Sequence, residues 1–388
     1  MALMIMLGVM TLGFTTLLVR SLNTTDIGNE RQARTSAALA QAKDALIGKS
    51  VIYDDYPGSL PCPDLVTDIP NNRSNDGIAD LLAGNDCPSY IGRLPWKTLG
   101  LPDLRDASGE RLWYALSRNM RRDDSVRPLN SNTKGTIEVY HADGTTLLTQ
   151  AGYSAVAVIF SPGSPFGSQT RTTAAEKNNA ANYLDSVNGR NNASASGPYI
   201  AGSKSDSFND QLLFITTRNL MPLIEQRVAG EVKRALANYY TYSGCLCYPW
   251  ADSVDQFADY DSNEGLNRGW LPNHASPVDW TSSYAPPSIK PPQWFFDNQW
   301  YKLIYYSVAR NYKDPEHNCY SCDHSTLHVD SNFGVRALFF MPGTFAGIRR
   351  PDNLSDYLEN PENKDDNDDD YITPTSQAGD RDRLYLLQ

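Results

Sequence analysis

Two stretches decide the fold: AVAVIFSPG (Ala155–Gly163) and, about 180 residues later, VRALFFMPG (Val335–Gly343). Each is an apolar strand-like run closed by Pro-Gly, which halts a strand and opens a loop. Their neighbours repeat as well. Upstream, WYALSRN (Trp113–Asn119) is echoed by YYSVARN (Tyr305–Asn311), and ALIGKSVIYDDYPG (Ala45–Gly58) by ALANYYTYSG (Ala235–Gly244). Downstream, Tyr183-Leu184-Asp185 is echoed by Tyr357-Leu358-Glu359, and Leu212–Thr216 by Leu384–Gln388. Five pairs keep their order while the offset falls from about 190 to about 172, which reads as a tandem duplication.

Each copy opens with a helical pattern, the second over Asn219–Tyr242 with Gly244 in the C-cap place. A Pro/Gly/Cys region follows, then a short helix expected over Gly109–Met120 or Trp294–Tyr312. Strands are expected at Thr136–His141 and Ser154–Ser161, and at Thr326–Asp330 and Val335–Met341. A closing strand lies at Leu212–Thr216 or Leu384–Leu387. Helix first and antiparallel strands afterwards is the α+β class. Thr172–Ser196 and Asn360–Asp382 read as long exposed loops.

Ahead of the first copy, MALMIMLGVMTLGFTTLLV (Met1–Val19) carries no charge until Arg20. Nineteen helical residues span about 28 Å, the hydrocarbon thickness of a bilayer. Nothing basic precedes the run and no Ala-x-Ala follows closely, unlike a cleaved signal peptide. Ala33, Ala37, Ala38, Ala42, Ala45 and Leu46 continue at helical spacing, so one helix of roughly 50 residues, about 75 Å long, is expected. Only its second half is amphipathic. Either a membrane anchor runs into a domain helix, or the helix packs against copies of itself after leaving the bilayer.

Composition excludes other classes. The chain of 388 residues has 34 Lys+Arg against 45 Asp+Glu, a formal charge of −11, and no basic block, so nucleic-acid binding is not expected. At 40% hydrophobic residues it is too apolar for disorder. Six cysteines and few cations suit an exported protein. No G-x-S-x-G, H-E-x-x-H or P-loop occurs, and none of His141, His274, His317, His324 and His328 adjoins a nucleophile motif, so no enzyme is expected.

The apolar helix, its alanine-rich continuation and a cysteine-bearing head resemble the type IV pilin and type II secretion pseudopilin family. LPCPD (Leu60–Asp64), GRLPWKTLGLP (Gly92–Pro102) and LRDASGERLWY (Leu104–Tyr114) are similar to prepilin-like proteins of Gram-negative bacteria. The resemblance implies an assembly helix at residues 1–50, carrying Met1, Ile5, Leu7, Gly8, Gly13, Leu17 and Leu18, with pilin-like heads at 51–217 and 218–388. It implies that Met1 follows a removed leader, and it departs from the family at Ile5, where Glu is usual. A major filament subunit is one expectation. A minor or tip pseudopilin, favoured by Ile5 and the large head, is another. A membrane-anchored periplasmic protein that binds a glycan or protein through Trp250, Trp270, Trp280, Trp294 and Trp300 is the alternative class. Implied partners are copies of the chain, the pilus or secretion assembly machinery and, before assembly, the inner membrane; the filament would then stand on the cell surface, serving adhesion or secretion.

Cys62 and Cys87 pair most simply with each other, closing a 25-residue loop worth roughly 3 kcal/mol. Cys247 stands near the place of Cys62. Cys245, Cys247, Cys319 and Cys322 form a C-x-C and a C-x-x-C, read as cross-paired disulfides or, with His317, His324 and His328 nearby, as a zinc site. Asp323 separates Cys322 from His324, which excludes the C-x-x-C-H haem attachment. The cofactor expectation is none, or calcium: Asp365, Asp366, Asp368, Asp369 and Asp370 form one candidate loop, and Asn71, Asn72, Asn75, Asp76 and Asp80 another, with Asp206, Asn209 and Asp210 at the point in copy one equivalent to the first. Some pseudopilins hold calcium in a late acidic loop, and the resemblance extends that expectation to 365–370.

Overall fold

The computed structural model describes residues 28–67, 74–122, 128–242, 246–254, 266–272, 286–313, 326–350, 353–365, 368–375 and 381–388. The chain is α+β, with a helix at its N-terminal side and antiparallel sheets. The first helix, α1, runs over 28–51. It buries Thr35, Ala38, Leu39, Ala42, Leu46 and Ser50, one stripe at three- and four-residue spacing. Residues 28–34 are exposed; the Gln32 side chain exchanges hydrogen bonds with that of Gln211 (2.9 and 3.0 Å), and burial of the helix begins at Thr35. The remainder of the expected long helix, residues 1–27, lies outside the described residues.

Four strands follow: β1 (Ile91–Arg93), β2 (Trp113–Leu116), β3 (Ala155–Ser161) and β4 (Gln211–Thr216). They form an antiparallel meander in chain order. A 26-residue helix, α2 (Thr217–Tyr242), then leads to β5 (Arg268–Trp270), β6 (Tyr305–Val308), β7 (Ala337–Met341) and β8 (Arg383–Leu387). These make a second antiparallel meander, again in chain order. β3 and β7 are buried along their whole length because each sheet is covered on both faces. In the first sheet, Tyr114, Leu116, Ala157, Ile159 and Ile215 join α1 and α2 in a core that continues into the second sheet. The opposite face, with Trp113, Ala115, Val158 and Phe160, packs on Tyr183, Leu184 and Tyr199.

The two sheets share their register as well as their order. Tyr114 stands opposite Ile159 and Tyr306 opposite Phe339, while Ile159 faces Leu213 and Phe339 faces Tyr385. The hydroxyl of Tyr114 donates to the Pro61 carbonyl (3.2 Å), and that of Tyr306 to the Pro249 carbonyl (2.9 Å). Asp64 exchanges backbone hydrogen bonds with Arg93, as Asp252 does with Trp270. The segments P-C-P-D (Pro61–Asp64) and P-W-A-D (Pro249–Asp252) therefore occupy the same place. That corrects one expectation: Trp250, not Cys247, stands where Cys62 does.

Two further expectations change. Gly109–Met120 is not a helix but β2 followed by a 3-10 turn at Arg118–Met120. Trp294–Tyr312 holds a short helix (Gln293–Asp297), a 3-10 turn (Trp300–Leu303), β6 and a second turn (Arg310–Tyr312). Both strands are buried on both faces, so neither shows the polar alternation that marks a half-exposed strand. The strand expected over Thr136–His141 shortens to Val139–His141 and pairs in parallel with Tyr199–Ala201 outside the main sheet. Gly244 lies outside the described residues.

Candidate functional site

Most residues singled out in the sequence lie in one of three places. The assembly-helix set, Met1, Ile5, Leu7, Gly8, Gly13, Leu17 and Leu18, lies outside the described residues. Among the described residues no helix is long and apolar enough to cross a membrane. The C-terminal end of α1 is described, and there α2 holds it. Arg227 donates from one guanidinium nitrogen to the carbonyls of Val51 (2.5 Å) and Tyr53 (2.8 Å), satisfying backbone acceptors that a helix end leaves unpaired. Beside this clamp, Ile47, Gly48, Val51, Ile52 and Leu223 form an open apolar groove, with Ile52 66% exposed.

Cys62 and Cys87 form a disulfide with both side chains buried. Cys247 is also disulfide-bonded and buried. Cys245, Cys319, Cys322, His317 and His324 lie outside the described residues, and with them most of the zinc candidate.

The acidic loop is organised by protein cations. Arg268 on β5 donates to the backbone carbonyls of Asp365 (2.6 Å) and Asp368 and to the Asp369 carboxylate (3.1 Å). His328 Nδ1 lies 2.8 Å from Asp370 Oδ1. Arg268 thus engages two backbone carbonyls and one carboxylate oxygen of the loop. Asp366 lies outside the described residues. In the other loop, Asp80 accepts from the Leu65 N–H (2.7 Å) and Asp76 from the Ile78 N–H (2.8 Å). Asp64, buried beside them, accepts from the Gly77 N–H (2.8 Å). Burial, then repulsion from Asp80 and Asp76, pushes the Asp64 carboxyl up to about 7. Asn71 and Asn72 lie outside the described residues. Among the described residues no group of three or more His, Cys, Asp or Glu is placed to hold a metal ion.

Asn209 and Asp210 serve a lock found in both sheets. The Asp185 N–H donates to Asp210 Oδ2 (2.8 Å), and the Asn209 N–H returns to Asp185 Oδ2 (2.7 Å). In the second sheet the Glu359 N–H donates to Asp382 Oδ2 (2.9 Å), and the Arg381 N–H returns to Glu359 Oε2 (3.1 Å). An arginine closes each lock. Arg171 reaches the carbonyls of Gly163 (2.9 Å) and Asn182 (2.6 Å); Arg349 reaches those of Pro342 (3.0 Å) and Asp356 (3.1 Å). These locks tie each Pro-Gly loop to the last strand. Sequence reading found Tyr-Leu-Asp/Glu as a repeat but not its role, because the partners lie about 25 residues downstream.

Trp250, Trp270, Trp294 and Trp300 are all buried, so they form core and offer no stacking platform at the surface. Trp280 lies outside the described residues. His141 is exposed beside Asp143 and touches no nucleophile. A cleft of about 520 Å³ lies between the two halves and is lined by Asn130, Asn132, Lys134, Gln299 and Arg349. Its cations are engaged: Lys134 donates to the Ala346 carbonyl and Arg349 to the Asn132 side chain (2.6 Å). Comparison of the chain with protein-family models, curated proteins and solved structures finds no match.

Proposed function

We propose that this chain is a structural subunit of a type IV pilus-like surface filament, built from two copies of one helix-plus-meander unit. The observation that carries the proposal is the apolar run Met1–Val19 leading into a helix whose described start, 28–34, is exposed, with Gln32 bonded to Gln211, before burial begins at Thr35. Such a helix projects from its head, and an apolar extension of it requires lipid or other helices around it. The duplication draws support from two meanders with the same order, register, tyrosine anchor and carboxylate lock.

In this reading the subunit waits in the inner membrane, and an assembly machinery extracts it into a bundle of its own helices. Heads at 51–217 and 218–388 then clad the outside of a Gram-negative surface filament. A minor or tip position is the variant that Ile5 favours. Burial of Trp250, Trp270, Trp294 and Trp300 favours this reading over the glycan-binding one. Imaging of sheared surface filaments, with side chains traced against this sequence, tests the proposal. A Leu7→Glu variant should express folded heads but yield no filaments, since a carboxylate in a bundle of apolar helices costs several kcal/mol. Wild-type protein that remains single in detergent, and filaments that lack it, would overturn the proposal.

A further inference from the structure

On the face of the first sheet that turns away from α1, Arg93 is 5% exposed. Its guanidinium lies between two rings, 4.2 Å from that of Trp113 and 4.0 Å from that of Tyr183. One terminal nitrogen donates to the Arg111 carbonyl (3.3 Å), and the buried Nε has no hydrogen-bond partner. A buried arginine with an unmet donor is costly, and burial lowers its pKa to about 10. It faces a pocket of about 260 Å³ lined also by Arg105, Arg111, Lys177, Glu110, Asn75 and Tyr183.

The charges around that pocket do not balance. Asp103 pairs with both Arg105 (2.7 Å) and Arg111 (3.0 Å), which also donate to the carbonyls of Gly109 (2.8 Å) and Asn75 (2.7 Å), and Glu110 is taken by Arg171 (2.9 Å). The lining itself holds four cations, Arg93, Arg105, Arg111 and Lys177, and one carboxylate, Glu110, in a chain whose formal charge is −11.

The second sheet shows what packing alone requires here. Gly92 and Gly269 are equivalent, so the residue in the place of Arg93 is Trp270. Its ring lies 4.6 Å from Tyr357, as the Arg93 guanidinium lies over Tyr183. An apolar indole fills the place without burying a charge. The first sheet keeps a cation there and surrounds it with three more.

The geometry points to a binding site for a phosphate-class oxyanion in this pocket, held by Arg93, Arg105, Arg111 and Lys177. Guanidinium forks match such oxygens two at a time, and a dianion offsets most of the surplus charge. The site does not depend on the filament reading, and the two can fail separately.

Titration calorimetry of the purified chain with inorganic phosphate, against chloride at matched ionic strength, tests it. Saturable phosphate binding is expected. Arg93→Trp copies the second sheet, so it should leave the melting temperature of the free chain unchanged and weaken phosphate at least about tenfold. Lys177→Ala, at an exposed position, should weaken it by a similar factor without touching the core. Sedimentation with phosphatidylglycerol vesicles, against phosphatidylcholine, separates a lipid headgroup from a free anion. Binding of either probe that disappears in both variants supports the site and names the source. Binding that survives in both variants, that chloride matches, or that neither probe shows overturns it.

Discussion

Replacing Gly92 by alanine should damage the first sheet far more than its small size suggests. A Cβ there would lie 2.5 Å from the Asp64 carbonyl oxygen and 2.9 Å from Pro63 Cβ. Neither obstacle is the loose end of a side chain. The Asp64 carbonyl is also the acceptor for the Arg93 N–H (2.7 Å), while the Asp64 N–H donates to the Arg93 carbonyl (3.0 Å). Opening the contact to ordinary van der Waals distance pulls this pair apart. Overpacking costs about 1–3 kcal/mol and each of the two weakened hydrogen bonds about 1 kcal/mol, so a loss of roughly 3–5 kcal/mol is expected. Gly269→Ala should cost at least as much, because its Cβ would lie 1.8 Å from the Asp252 carbonyl oxygen. Gly230→Ala is the control. Gly230 is exposed in the middle of α2 with nothing within 4 Å of an added Cβ, so alanine should stabilise by about 0.5–1 kcal/mol. Urea unfolding of the purified chain, followed by circular dichroism, reads all three. A neutral Gly92→Ala would refute the close approach of the Pro61–Asp64 segment to β1. A costly Gly92→Ala beside a neutral Gly269→Ala would refute the structural equivalence of the two sheets.

Three further outcomes follow from the same geometry. Cys62→Ala/Cys87→Ala should lose about 3 kcal/mol, the loop-closure value for a separation of 25 residues, and melt roughly 6–12 °C lower in calorimetry; an unchanged melting temperature would show that the loop is held by its other contacts alone. Burial raises the carboxyl pKa of Asp64, Asp210 and Glu225, so the folded chain holds these protons more tightly than the unfolded one. Stability from Asp64 is present in full below its ordinary value near 3.8 and is lost as pH rises through about 7. The melting temperature should therefore fall between pH 5 and pH 8, and Asp64→Asn should flatten that slope; an equal slope in wild type and variant would reject the assignment. Arg171→Lys removes the fork that joins the Gly163 and Asn182 carbonyls over the Tyr183 ring and should cost about 2–4 kcal/mol by denaturant titration, whereas a cost within experimental error would show that a point charge suffices there.

How much of this was legible in the sequence depends on what each residue contacts. β3 and β7 could be read because their apolar runs end in Pro-Gly, and both signals are local. β2 and β6 could not, since both faces of each are covered and the residues lack alternation; Trp294, Trp300 and Ile304 even fall at helical spacing. β1 and β5 have three residues each, too few for any period, and depend on Gly92 and Gly269 admitting a neighbouring backbone. One overlooked local signal would have located them: P-x-x-D occurs at Pro61–Asp64 and again at Pro249–Asp252. The basic pocket carried no such signal. Its cations sit at 93, 105, 111 and 177, and only the fold brings them together.

The differences between the two sheets separate framework from function more sharply than their likeness does. Wherever both keep the same feature, a framework need explains it: the tyrosine on a proline carbonyl, the glycine under an aspartate, the carboxylate pair locked by an arginine. Where they diverge, one sheet does without that feature. The second sheet puts Trp250 in the place of Cys62 and Trp270 in the place of Arg93, and both indoles are buried. At those two positions it has apolar area, at about 25 cal/mol for each Å² removed from water, while its own disulfide-bonded cysteine, Cys247, lies shortly before Trp250. Neither feature of the first sheet is therefore the only way to hold this fold. A disulfide adds stability whatever its surroundings, so Cys62–Cys87 is explained by the loop it closes. A buried, partly unmet arginine among three other cations loses solvation that the Trp113 and Tyr183 rings and the Arg111 carbonyl offset only in part, so Arg93 is the residue of the first sheet that the framework explains least.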